Sequence, residues 1–223
     1  MRFFTILLIL LIASASAQKV EEITNLNLTV LVDNKAHFKY EFTIKNLIDK
    51  PLVPGISEMR LQKVEPINFL IVPIPFTEHR SAVKVDNLRA YSGNMNFKTS
   101  FEEKEDYSII YYEIWYPIEP YSEMRLVLEF DADLVDQGIL FKSVTVPVGG
   151  DVDIRNINLD IRSDWKTCYI EPKELKSIPA GHLAFITAEF SLLPLPMLPI
   201  RGYILFWGFV ILVLGIAVVF RRK

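Results

Sequence analysis

The chain has 223 residues, enough for one or two domains, and 51% of them are apolar, with a formal net charge of −3. Four basic residues sit at the ends (Arg2, Arg221, Arg222 and Lys223); without them 20 basic residues face 27 acids and the body carries −7. An acidic body argues against binding nucleic acid or clinging to an anionic lipid surface, since both need a basic face.

The chain opens with the charged Met1-Arg2 and an 11-residue apolar run, Phe3 to Ala13. That run is too short to span a bilayer core. Ala15-Ser16-Ala17 then supplies the small residues of a signal-peptidase site, so residues 1–17 are expected to be a signal peptide cleaved before Gln18.

Strand periodicity follows. Leu26, Leu28, Val30 and Val32 alternate with Asn25, Asn27 and Thr29. Phe38, Tyr40, Phe42 and Ile44 alternate with Lys39, Glu41, Thr43 and Lys45. A period of two marks half-buried strands, and Asp33-Asn34-Lys35 between them predicts an antiparallel hairpin. Further strands are expected at 58–64, 69–72, 82–86, 96–101, 107–116, 124–131, 139–146, 154–161, 167–170 and 182–190, joined by connectors rich in Pro, Gly, Asn and Asp. The aromatic and β-branched stretch Tyr107–Tyr116 is expected to be a central strand. The predicted fold of residues 18–192 is therefore an all-β ectodomain, an antiparallel β-sandwich that is immunoglobulin-like or larger, with 133–138 as the seam of any C-terminal subdomain.

Residues 193–201 include Leu-Pro-Leu-Pro-Met-Leu-Pro, whose alternating prolines favour a stiff, extended linker. Residues 202–220 hold 19 residues with no charged side chain, about 28 Å at 1.5 Å per residue, and Arg221-Arg222-Lys223 follows. The pattern predicts one C-terminal transmembrane α-helix with the N-terminus outside and residues 221–223 as a cytoplasmic tail. The bilayer and other membrane or extracytoplasmic proteins are the expected partners, in the cell membrane or a secretory-pathway membrane.

Chemistry is sparse. Cys168 is the only cysteine, which excludes an intrachain disulfide and any C-x-x-C site. The reading favoured for it is a buried structural thiol; His182, the histidine nearest in sequence, is 14 residues on. His37, His79 and His182 are scattered and form no zinc spacing. Asp131, Asp133 and Asp136 cluster before Gly138 as weak calcium candidates, but EF-hand spacing fails because Val135 stands at the third acid position. Asn27-Leu28-Thr29 is the only N-glycosylation sequon, with Asn27 as acceptor. Trp115, Tyr116 and Tyr121 flank the Pro117–Pro120 loop; such rings mark binding surfaces, yet a core strand ending in a rigid turn fits the composition better. No nucleophile elbow, phosphate loop or dinucleotide fingerprint occurs, and no cofactor is expected.

The functional expectation is a binding or assembly module, an accessory subunit of a surface or secretory-membrane complex, rather than an enzyme. The alternative is a membrane-anchored hydrolase or carbohydrate-active enzyme working through acidic residues, with calcium as its candidate ion.

Overall fold

The computed structural model describes residues 19–65, 68–69, 72–73, 79–137, 141–193 and 200–221, with side chains left undescribed at 65, 68–69, 72–73, 200–207 and 209–210. Residues 1–17, the expected signal peptide, lie outside the described residues, as do linker residues 194–199 and tail residues 222–223.

Alternating burial is what builds the fold. β1 (Glu21–Val32) and β2 (Ala36–Asn46) form the expected hairpin, paired from Glu21↔Asn46 to Val32↔Ala36. In β2 every second residue, from Ala36 to Asn46, is buried. Then come β3 (Gly55–Leu61), β4 (Lys63–Glu65), β5 (Asn68–Phe69), β6 (Val72–Pro73), β7 (His79–Ser81), β8 (Val85–Ser92), β9 (Met95–Glu103), β10 (Ser108–Ile114) and β11 (Glu123–Ala132). The second half supplies β12 (Asp136–Gln137), β13 (Phe141–Gly150), β14 (Ile154–Arg155), β15 (Ile157–Ser163), β16 (Lys166–Glu171), β17 (Ser177–Ile178) and β18 (His182–Ser191), before a helix, α1 (Ile200–Arg221).

Ten strands form a large sheet in the order β17-β14-β1-β2-β11-β8-β9-β10-β3, with β15 also on β1. This sheet curls into a half-barrel. Four strands form a second sheet, β12-β13-β18-β16, and two small pairs, β4-β7 and β5-β6, complete the strands. Val144, Val146, Ile186 and Phe190 of the second sheet join Leu28, Val30, Phe38 and Leu128 of the first in one hydrophobic core. At its centre Phe38 and Phe130 stack at 5.0 Å between ring centroids, with Tyr40 6.0 Å from Phe130. Stacked pairs of this kind add about 0.5–1.5 kcal/mol beyond the area they bury.

The outer face of β2, β11 and β8 is a ladder of ions. Glu129, buried on β11, receives hydrogen bonds from Arg89 Nε at 2.6 Å and Tyr91 Oη at 2.9 Å. Lys39 and Arg125 both pair with Glu41. His37 Nδ1 lies 2.5 Å from Asp131 Oδ1, and Asn87 Nδ2 donates to Asp131 Oδ2 at 2.6 Å. Asn87 reaches that carboxylate because it sits at φ +53° where the β8–β11 register shifts. Such a bulge re-aims a side chain. The His37 hydrogen bond, then that from Asn87, holds the Asp131 carboxyl below the ordinary carboxylate range.

Several expectations are corrected. The sheets are not purely antiparallel, because β1 pairs in parallel with β14 and β15. The chain is mostly β with a half-barrel sheet, not an antiparallel sandwich with a membrane helix. Among the described residues no helix is long and apolar enough to cross a membrane. The expected span over 202–220 is therefore not supported, nor are the single-pass location and the bilayer contact that rested on it. β10 lies next to the edge strand β3; the central, most continuously buried strand is β11. The 154–161 strand is split at Asn156, which has φ +47°.

Two outcomes follow. Phe130→Ala opens the stacked core and is expected to cost about 3–5 kcal/mol in urea unfolding. Asp131, with its lowered pKa, contributes stability that is fully present above about pH 4 and is lost as pH falls through its folded value. Asp131→Asn should flatten that part of a melting-temperature profile between about pH 2 and pH 5.

Candidate functional site

The half-barrel leaves a cleft of about 1030 Å³ between the β3 end of the large sheet and the β13 end of the small one. Pockets of about 300–1,000 Å³ hold small ligands, so this space sits at the top of that range. Its floor is the inner face of β2 and β10, with Tyr40, Phe42, Ile44 and Tyr112 all buried. Its rim carries exposed Ile56, Leu183 and Phe185. Alternation explains both sets. Even-numbered residues of β2 face inward, while Leu183 and Phe185 share a face of the small sheet with Pro147 and Gly149, their register partners on β13.

Tyr40 is the unusual member. Its residue is 3% exposed, and its hydroxyl is the one buried side-chain polar atom without a hydrogen-bond partner among the described residues. A buried, unpaired hydroxyl costs about 1–3 kcal/mol. Burial also drives its pKa well above the ordinary tyrosine value. Tyr112, whose ring lies 6.1 Å from that of Phe42, is pushed up to about 12 by burial, although its hydrogen bond to Ser57 lowers it and the nearby Glu21 charge raises it. Glu21 is half-buried at the cleft wall, and desolvation alone raises its pKa.

Gly149 closes one end of the cleft at φ +154°, where any Cβ would collide with the His182 carbonyl oxygen and Leu183 Cα. Only glycine permits this approach of β13 to β18.

The sequence-derived candidates do not gather here. Asp131 is on the outer face with His37 and Asn87, Asp133 is exposed on the connector after β11, and Asp136 lines the cleft from β12. Lys35 supplies positive charge near Asp131 and Asp133. Among the described residues no group of three His, Cys, Asp or Glu could hold a metal ion. Cys168 is buried on β16, and burial raises its pKa first. His182 starts β18 eight residues from Phe190, which pairs with Thr167 of β16 beside Cys168. That separation is about 26 Å of strand, so the thiol has no imidazole. His79 is exposed on β7. Asn27 is exposed on β1, and its Oδ1 accepts a 2.9 Å bond from Asn158 Nδ2.

The aromatic loop departs from the core reading. Trp115, Tyr116 and Tyr121 are 60%, 48% and 64% exposed, and among the described residues only Tyr116 meets another ring, edge-on to Phe97 at 5.9 Å. β10 ends at Ile114, so these rings fall past the last buried strand position. The sequence reading missed the floor of the cleft itself. Tyr40 and Phe42 carried a plain strand signal, and nothing local distinguishes a buried face under a second sheet from one under open space.

No family model matches the chain. Among solved structures it is similar to a candidate nutrient-binding protein of Legionella pneumophila, at 9% identity and TM-score 0.42, covering 78% of this chain and 68% of that one. It also resembles the yeast leukotriene A4 hydrolase, at 12% identity and TM-score 0.42, where it spans only 30% of the hydrolase chain. Likeness at this level says nothing about activity. In sequence, 124 residues are 44% identical to the uncharacterized protein MJ1395 of Methanocaldococcus jannaschii, covering 94% of that protein and 54% of this chain. With nearly the whole of that archaeal protein matched at this identity, the chain belongs to the same family as MJ1395.

Proposed function

We propose that this chain is a binding module that takes its ligand or partner in the cleft between the two sheets. One observation carries the reading: the cleft floor holds a buried tyrosine hydroxyl with no partner among the described residues, set among apolar and aromatic side chains. A pocket of that make-up, mostly apolar with a few convergent polar groups, is the usual form of a binding site. The catalytic alternative finds no comparable support. Its acids are spread over an outer face, a connector and a cleft wall, and Asp131, held by His37 and Asn87, faces away from the cleft.

The energetic consequence is a trade between stability and binding. A hydroxyl held without a partner lowers the stability of the free protein and gains its bond only when a ligand arrives. Tyr40→Phe is therefore expected to raise the free protein's unfolding free energy by about 1–2 kcal/mol, with an unchanged slope in urea.

The reading itself is tested with the apolar fluorophore anilinonaphthalene sulfonate on the full chain. Saturable binding by the folded protein is expected, with near-ultraviolet circular dichroism unchanged. Met59→Trp, which fills the cleft from β3, should weaken that binding by about tenfold or more. Equal binding by wild type and Met59→Trp would place the probe elsewhere and remove the support for a cleft site.

A further inference from the structure

The walls of the cleft are two strand edges, and this sets what it can hold. Ile56, Ser57, Glu58, Met59 and Arg60 are consecutive residues of β3, and all of them line the cleft. Neighbouring side chains on a strand point to opposite faces. A strand therefore meets a space with both faces only along its edge. β10 occupies one edge of β3, and among the described residues no strand occupies the other. The facing wall repeats the arrangement. Pro147 to Val152 are also consecutive in the lining, and among the described residues β12 covers the outer edge of β13 only at Lys142 and Ser143. Pro147 suits an open edge because it has no N–H to leave unpaired.

We propose, resting on the cleft-binding reading above, that the cleft is a strand-acceptor site. An extended segment of another protein lies between β3 and β13 and hydrogen-bonds to their open edges. Its alternate apolar side chains rest on Tyr40, Phe42 and Met59, an acceptor oxygen meets the Tyr40 hydroxyl, and a basic side chain reaches Glu21. Strand addition to an exposed edge takes its affinity from main-chain bonds and its specificity from alternate side chains. β3 offers seven residues of edge, about 23 Å. Charge complementarity sets the sign of the segment: Glu21, Glu58, Asp136 and Asp151 line the cleft against Arg60 and Lys63, on a body that is itself acidic. An open, uncapped edge is otherwise a liability that proteins cover.

The test uses the full chain and a seven-residue peptide, acetyl-Thr-Val-Lys-Val-Thr-Val-Lys-amide, followed by fluorescence anisotropy and amide hydrogen exchange. Saturable binding is expected, with exchange slowed at 55–61 and 144–149. Backbone N-methylation of the peptide in either of its two alternate frames should weaken binding about tenfold or more, because each frame deletes the main-chain donors to one of the two edges and leaves side chains intact. Tyr40→Phe should lose about five- to tenfold, the equivalent of one hydrogen bond. Binding that is indifferent to N-methylation in both frames would overturn strand addition. Absence of peptide binding at about 1 mM, with the fluorophore still displaced by Met59→Trp, would overturn the strand-acceptor proposal and leave a small-molecule cleft. Failure of both probes would remove the cleft-binding reading as well.

Discussion

The whole arrangement depends on β1 being paired on both of its edges. β2 takes one edge in antiparallel register and β15 the other in parallel, from Leu26↔Ile157 to Val32↔Ser163. Parallel partners cannot be joined by a tight turn, so the intervening chain must travel before it returns. That path lets the second half of the chain cover the first. β13 and β18 are carried over the inner face of the large sheet, and Val146 and Phe190 reach the core built by Leu28 and Phe38. Residues on both sides of the expected 133–138 seam thus contribute to one sheet and one core.

The same pairing explains where the cover stops. The small sheet has four strands, too few to roof a ten-stranded half-barrel. The inner face is closed over at Leu28, Val30, Phe38 and Leu128, while Leu26, Phe42 and Ile44, with β10 and β3, meet a cleft. Tyr40 and Phe42 stand at that border, with side chains suited to a core and a space on one side of them. An unsatisfied hydroxyl at such a border costs stability in the free protein, and natural folds depart from full polar satisfaction mainly at sites of function.

The outer face follows a different logic. Glu129 is buried and needs its partners, whereas Arg89 and Arg125 remain largely exposed, so solvent screens much of their attraction. The network serves register more than stability, since opposite charges on β2, β8 and β11 meet only in the observed pairing. Asp131, singled out in the sequence as a calcium candidate, is one rung of this ladder and is answered by His37 and Asn87.

Local pattern alone determined much of this protein. The period-two runs set the β class, the β1–β2 hairpin and the inward faces, because a strand's burial is written in its own alternation. The lone cysteine and scattered histidines limited the chemistry in the same way. Other features were decided only by the tertiary structure. The parallel docking of β15 joins segments from opposite ends of the chain, and periodicity carries no information about a strand's partner. The place of β10 beside an edge was hidden because aromatic and β-branched content reports burial, not position in a sheet. The exposure of Trp115, Tyr116 and Tyr121 depended on where β10 ends, and the edges of β3 and β13 on which of the described strands reach them. The cleft is a property of two sheets that share a core and part at one end, and no single segment of the sequence contains that fact.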